Sequence, residues 1–308
     1  LSDGSEIVVN LQQDSKSTGG EVFVLLNGLV YELNRWDQVA NQLVSQGHTV
    51  IRYSYSAQPA NLRRLAKGQE PKFFSTGLDP AAMSNELLSV LQALKVNQKV
   101  HVVGLSYGAS VAAAFSERHP ELVEDVIFVS PLVVPTDNYD GRSVGLRAWL
   151  DGVRFWENAP CSFYGAMNPW LCSSQDRWYD TFYKSLYQTY LLGNVKNVAV
   201  GVEPEIYKKS LFHLIRAARD FDLRSSIRNL KNVSMFVASD DDKLLRADQE
   251  LAWKAVPDAE RRSYVLFEGA HHALPDEAPE RLVALLTAVA LKDADHIGGS
   301  RTKVKADR

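Results

Sequence analysis

Four short runs of continuously apolar residues constrain the fold of this chain more than any other feature of its sequence. They are rich in Val, Ile and Phe and cover residues 22–26, 100–103, 126–129 and 233–237. Continuous rather than alternating apolarity is typical of strands covered on both faces, so the runs predict the centre of a parallel sheet. Weaker runs that would extend this sheet cover residues 6–11, 49–53 and 263–267.

Helical patterns separate the predicted strands. Apolar residues recur at helical spacing in the segments 36–45, 83–94, 109–115 and 279–291. Strands that alternate with helices predict an α/β fold with a doubly wound, mostly parallel sheet. The alternation fails where Trp, Tyr and Phe crowd among polar residues. We therefore predict a core at 1–131, an inserted helical cap at 132–227, the rest of the core at 228–292 and a loosely held polar tail at 293–308.

Composition excludes several classes of protein. The chain has 308 residues, of which 45% are hydrophobic and 23% charged, so it can bury a large core and is unlike disordered, collagenous or coiled-coil chains. Its 34 basic and 37 acidic residues give a net charge of -3, which argues against nucleic acid as a partner because no basic field would hold a phosphate backbone. No apolar run reaches the roughly 18 residues of a spanning helix, so we expect no transmembrane segment.

Two features bear on localisation. Cys161 and Cys172 lie close together in sequence and are equally compatible with a disulfide bond formed in an oxidising compartment and with two buried thiols. The chain begins at Leu1 rather than Met, so we expect that a preceding segment was removed, by signal-peptide processing or by the choice of start. Together they favour export, periplasmic or secreted, slightly over the cytoplasm and leave the localisation open. The oligomeric state is also left open.

A G-x-S-x-G pattern at residues 104–108 joins the strand-like run at 100–103 to the helical pattern at 109–115. A nucleophile elbow requires this context: Ser106 would sit at a tight strand-to-helix turn, and the two glycines would let neighbouring elements approach closely. The helix N-terminus would add N–H groups and a positive dipole end where an oxyanion develops. A chance match is the alternative, but the position at a strand–helix junction favours Ser106 as a nucleophile.

A serine nucleophile needs a histidine within hydrogen-bond reach to remove its proton. Five of the seven histidines are explained by packing or capping or fall in the cap or tail, namely His48, His101, His119, His213 and His296. The remaining pair, His271 and His272, follows the run at 263–267 and would lie at the same sheet edge as Ser106. We favour His272 as the base and expect His271 to pack beside it or to line the pocket.

The imidazole needs an acceptor on its other nitrogen to fix its tautomer. Asp240, Asp241 and Asp242 follow the run at 233–237 and offer three carboxylates at the right edge. We select Asp242 and expect the other two to be solvated turn residues or caps of the following helix. The chain order is then Ser, acid, His, which is that of α/β-hydrolases.

These residues resemble the α/β-hydrolases of the serine esterase and lipase kind, over nearly the whole chain outside the cap and tail. Residues 25–29, Leu-Leu-Asn-Gly-Leu, are similar to the family's strand followed by His-Gly, with Asn27 in place of the common histidine. The resemblance implies an oxyanion hole made by the backbone N–H groups of Leu29 and Tyr107.

The same resemblance bears on the other two site residues. Residues 269–272 are similar to the Gly-x-Gly-His of the family's histidine loop, which favours His272, although His271 stands where a glycine is usual. The family's Gly-x-x-Asp spacing favours Asp242, with Ser239 in the glycine place.

A serine rather than an aspartate at the elbow disfavours haloalkane and epoxide cleavage and predicts acyl transfer. The sequence contains no HExxH motif, no CxxC pair and no phosphate-binding loop, so we expect a reaction without metal or cofactor. The cap aromatics predict a small-molecule ester with a hydrophobic part, although most of them are expected to pack the cap onto the sheet. The alternatives are a thioesterase, lactonase, C–C hydrolase or acyltransferase with the same triad, and a non-catalytic ligand-binding protein on this fold.

Overall fold

The computed structural model describes residues 5–14, 19–29, 32–133, 201–219, 221–242, 246–257, 263–292 and 301–305. Most of the predicted cap, with Cys161 and Cys172, lies outside these residues, as does His296. The boundaries proposed for the cap therefore stay a prediction.

Eight strands in the described residues form a single sheet. In chain order they are β1 (Val9–Gln12), β2 (Val22–Leu26), β3 (Thr49–Tyr53), β4 (Val100–Leu105), β5 (Val123–Val129), β6 (Val233–Ser239), β7 (Ser263–Glu268) and β8 (Arg301–Lys305). Their spatial order is β1-β3-β2-β4-β5-β6-β7-β8, and every pair is parallel except β1 with β3. The predicted mostly parallel sheet is confirmed.

Helices connect the strands. Those described are α1 (Asp37–Ser45), α2 (Pro59–Leu62), α3 (Phe73–Thr76), α4 (Pro80–Ala93), α5 (Gly108–Arg118), α6 (Pro204–Arg219), α7 (Leu223–Ile227), α8 (Arg246–Lys254), α9 (Leu274–Glu277) and α10 (Pro279–Ala290), with 3-10 turns at Leu33–Trp36 and Pro120–Leu122. None of these described helices is long and apolar enough to span a bilayer.

Both faces of the sheet are buried, because alternate residues of a strand belong to different cores. In β2, Val22, Val24 and Leu26 pack with α4, α5 and α7, whereas Phe23 and Leu25 pack with α1 and α10. Every residue of β2 and of β4 is buried. This double burial is the physical reason for the continuous apolar runs in the sequence and confirms the doubly wound arrangement.

Three histidines that were assigned to packing or capping do contact core rings. His48 and His101 are far apart in sequence, but both contact the ring of Phe23. The ring centroids are 5.2 Å apart for His48 and 5.0 Å apart for His101. His119, at the end of α5, lies 5.1 Å from the Phe115 ring. These contacts agree with structural roles for all three.

The part of the predicted cap that the structure describes is helical. Helix α6 packs against α2 and α3, and the ring of its His213 stacks on Phe74 at 5.2 Å. Helix α7 follows, and the chain then enters β6, which pairs directly with β5. The long segment between these two neighbouring strands is thus an insertion at one point of the sheet.

The expectation of a loosely held tail is wrong for residues 301–305. These residues form β8, which pairs in parallel with β7 and extends the sheet by one edge strand. Their sequence, Arg-Thr-Lys-Val-Lys, contains no apolar run. Pairing along an edge uses main-chain N–H and C=O groups that any sequence supplies, so hydrophobic patterning gives no signal for it.

Candidate active site

Ser106 occupies the turn between β4 and α5 in a backbone conformation that is uncommon for a residue with a side chain. Its φ is +56°, and such a conformation costs on the order of 1–3 kcal/mol and persists only where its surroundings impose it. Here they do, because the Ser106 N–H donates to the Val129 carbonyl at 3.0 Å. The Ser106 carbonyl accepts from the N–H groups of Ala109 at 3.1 Å and Leu132 at 3.0 Å.

The two glycines of the elbow are required by close backbone contacts. A Cβ on Gly104 would lie 2.5 Å from the Gly108 oxygen and 2.6 Å from the Ala109 Cα. A Cβ on Gly108 would lie 2.5 Å from the Leu26 oxygen and 2.8 Å from the Asn27 oxygen. The first glycine lets the helix start against its own strand, and the second lets it start against the loop that follows β2.

His272 and Asp242 lie in direct contact beyond the carboxyl ends of β7 and β6. The His272 Nδ1 and Asp242 Oδ2 atoms are 2.7 Å apart, and both residues are buried. An ionised carboxylate only accepts, so Nδ1 carries the proton and Nε2 is left as the basic nitrogen. Because β4 runs parallel to β6 and β7, Ser106 lies at the same edge of the sheet as this pair.

The three neighbouring aspartates have different partners. Asp240 Oδ1 accepts from the Gly269 N–H at 2.6 Å, and Asp241 Oδ2 lies 3.3 Å from His271 Nε2. Both lie in the turn after β6 and neither is buried, as expected of solvated turn residues, and each also contacts the loop after β7. Only Asp242 is paired with His272 among the described contacts of the three.

His271 differs from His272 in both exposure and partners. Its side chain is 42% exposed, against 6% for His272. Its Nδ1 lies 3.1 Å from Glu277 Oε2, and its backbone N–H donates to the same oxygen at 2.9 Å. These contacts hold the loop between β7 and α9 in shape.

Two side chains hold the loop after β2 in place by donating hydrogen bonds to its main-chain carbonyl groups. The Tyr55 hydroxyl donates to the Asn27 carbonyl at 2.8 Å, and Gln58 Nε2 donates to the Gly28 carbonyl at 3.0 Å. The buried Asn27 amide has no hydrogen-bond partner among the described residues, so this side chain, which stands at the family's histidine position, does not brace the loop.

The backbone N–H groups of Leu29 and Tyr107 are available at this edge. Within the described residues neither donates a hydrogen bond to the protein. Tyr107 is the residue before α5, so its N–H lies at the positive end of the helix dipole. Two such donors can stabilise an oxygen that gains negative charge.

Residues 23–285 of the chain match the Alpha/beta hydrolase family. The chain belongs to this family. Among solved structures, the bromoperoxidase from Bacillus anthracis is similar with a TM-score of 0.63 at 18% identity, covering 93% of this chain and 95% of that one. The esterase EaEST from Exiguobacterium antarcticum has a TM-score of 0.62 at 18% identity, covering 94% and 97%. At such identities the likeness shows the fold alone.

One curated relative of this α/β-hydrolase is similar over a shorter stretch. Methylesterase 10 of Arabidopsis thaliana is 31% identical over 108 residues, which are 35% of this chain and 36% of that protein. The match thus spans about a third of the relative's length.

Four polar residues around the site were missed by the sequence reasoning: Tyr55, Gln58, Gln249 and Glu277. Each of them makes a side-chain hydrogen bond to another segment or loop. A single hydrogen bond of this kind leaves no periodic pattern in the sequence. The described residues contain no group of three or more His, Cys, Asp or Glu that could hold a metal ion.

Replacement of Tyr55 by Phe tests whether the loop after β2 contributes to catalysis. Burial raises the pKa of Tyr55 well above its usual value, so its hydroxyl stays protonated and donates to the Asn27 carbonyl. We expect Tyr55→Phe to lower kcat about 10-fold with KM little changed, because the loop that carries the expected Leu29 oxyanion donor loses an anchor. Steady-state kinetics on an ester substrate measure this.

Tyr53→Phe is the matched control. Tyr53 is also fully buried and also donates its hydroxyl to a main-chain carbonyl, that of Met83 at 3.0 Å on α4. Both variants should lose about 1–3 kcal/mol of stability, but only Tyr55→Phe should lose turnover. Equal kinetic effects would contradict a role for the Tyr55 hydroxyl in the site.

Proposed function

We propose that this α/β-hydrolase is a serine hydrolase that cleaves carboxylic esters with a hydrophobic part through an acyl-enzyme intermediate. The observation that carries the proposal is the buried 2.7 Å contact of His272 with Asp242, at the sheet edge where Ser106 is held at a positive φ. A serine at positive φ in a strand-to-helix turn is what a nucleophile elbow requires, and this supports Ser106 as the nucleophile.

The proposed reaction begins with proton transfer from Ser106 Oγ to His272 Nε2 as the oxygen attacks the ester carbonyl carbon. The tetrahedral oxyanion binds the N–H groups of Leu29 and Tyr107, while Asp242 stabilises the imidazolium. His272 then gives the proton to the leaving alcohol, and the C–O bond breaks to leave an acyl-Ser106. Water repeats the sequence in reverse and releases the acid.

The hydrophobic part of the substrate is inferred from composition, and the ester bond is supported by a relative. Trp, Tyr and Phe are frequent in residues 132–227, and side chains of this kind line pockets for apolar ligands. The curated relative that matches 108 residues of the chain is named a methylesterase, which supports an ester as the bond that is cleaved.

Two measurements on the wild-type protein test the proposal. A fluorophosphonate should form a covalent adduct on Ser106, located by peptide mass spectrometry, since it reacts only with activated serines. A series of p-nitrophenyl esters of increasing acyl length should be hydrolysed, with kcat/KM rising from acetate to longer chains as more apolar surface is buried.

The outcomes separate the alternatives. Folded protein that neither reacts at Ser106 nor hydrolyses any ester of the series would contradict the proposal and indicate a binding protein. Labelling at Ser106 without ester hydrolysis would reject ester cleavage and direct the search to thioesters, lactones or C–C bonds.

A further inference from the structure

The Asp242 carboxylate has a second side-chain partner in addition to His272. Gln249, on α8, donates from Nε2 to Asp242 Oδ2 at 2.9 Å. The same oxygen lies 2.7 Å from His272 Nδ1. One carboxylate oxygen therefore accepts from an imidazole and from an amide at once, and this fixes the rotation of the carboxyl group.

The orientation of the Gln249 amide follows from its other contact. The Ser239 N–H, at the end of β6, points to Gln249 Oε1 at 3.4 Å. A main-chain N–H can only donate, so the oxygen of the amide faces Ser239 and the nitrogen faces Asp242. Gln249 is fully buried, so water does not compete for either contact.

We propose that Gln249 is a positioning residue, which holds the Asp242 carboxylate against His272 and keeps the shared proton on the imidazole. The inference rests on the proposed function. A buried carboxylate needs hydrogen bonds to stay ionised, and a donor other than His272 supplies one that persists while the imidazole moves its proton. With its negative charge shared between two donors, the carboxylate also takes the imidazole proton less readily.

Two substitutions separate the hydrogen bond from the shape of the side chain. Gln249→Met keeps the length and removes the donor, and we expect kcat to fall about 10- to 100-fold with KM little changed. The acid limb of the pH–kcat/KM profile should move to higher pH, because the carboxylate directs more of its charge at the imidazolium. Gln249→Glu keeps the shape but places a second carboxyl group beside Asp242, and we expect both effects to grow as the pH rises and that group ionises.

The matched control is Ala252→Gly, a fully buried position on the same helix that has no polar side chain. It should lower the Tm without moving the acid limb. If Gln249→Met keeps the wild-type acid limb, or loses activity only as much as Ala252→Gly does, the proposal is overturned.

A measurement that does not need turnover separates this proposal from the proposed function. The His272 Nδ1 proton, hydrogen-bonded to Asp242, should give a low-field proton NMR resonance in the wild type that shifts and broadens in Gln249→Met and not in Ala252→Gly. An unchanged resonance would overturn the role of Gln249 even in an active enzyme. A shifted resonance in a protein that hydrolyses no ester would support the positioning role and count against the esterase.

Discussion

Ser106→Ala is expected to lower kcat/KM for esters by about 10⁴-fold or more, because the acyl-enzyme route is lost and only binding and oxyanion donors remain. The Tm should stay close to that of the wild type, since the contacts that impose the positive φ of residue 106 are made by its backbone and not by its hydroxyl. Steady-state kinetics and thermal unfolding measure the two effects.

Ser116→Ala is the matched control for this result. Ser116 lies on the helix that follows the elbow, is buried, and its hydroxyl has no hydrogen-bond partner among the described residues. Its removal should leave both activity and Tm within error of the wild type. Retention of more than about one hundredth of the activity in Ser106→Ala would show that another group is the nucleophile.

His272→Gln should lose about as much activity as Ser106→Ala, because an amide cannot accept and return a proton. Glutamine still offers an N–H donor, so the buried Asp242 need not be left unpaired and the variant should fold. His271→Gln should keep kcat within about threefold of the wild type, since its contacts are to Asp241 and Glu277 in a half-exposed loop.

The adjacent histidines thus form their own matched pair, with the same substitution at neighbouring positions. Kinetics of both variants on one ester distinguish them. Loss of activity in His271→Gln with retention in His272→Gln would exchange the assigned roles, despite the 2.7 Å contact of His272 with Asp242.

The sheet and the elbow could be predicted because their signals are local. Strand β3 lies at residues 49–53, as its apolar run predicts, and the helical pattern at 279–291 corresponds to α10 (Pro279–Ala290). Ser106 was identified from five consecutive residues whose spacing reflects two backbone contacts that exclude a Cβ. Burial on both faces of a sheet and close approach of backbones each leave a mark on neighbouring positions of the sequence.

The surroundings of the site could not be predicted in the same way. Asp242 was favoured by its resemblance to the family's Gly-x-x-Asp spacing, because a run of three like side chains does not by itself indicate which one turns inward. Tyr55 and Gln58 act on main-chain carbonyls, which every residue has, so no partner residue marks the contact. The strand at 301–305 was missed for the related reason that edge pairing needs no apolar side chains.

The absence of a side chain at Gly108 links two parts of the site that are far apart in sequence. The first residue of α5 lies against the oxygens of Leu26 and Asn27 with no room for a methyl group between them. The serine-bearing turn and the loop after β2 are consequently in close backbone contact, so a change that widens one should displace the other. Directed evolution toward esters of bulkier acids or alcohols should therefore select substitutions at other positions and keep glycine at position 108.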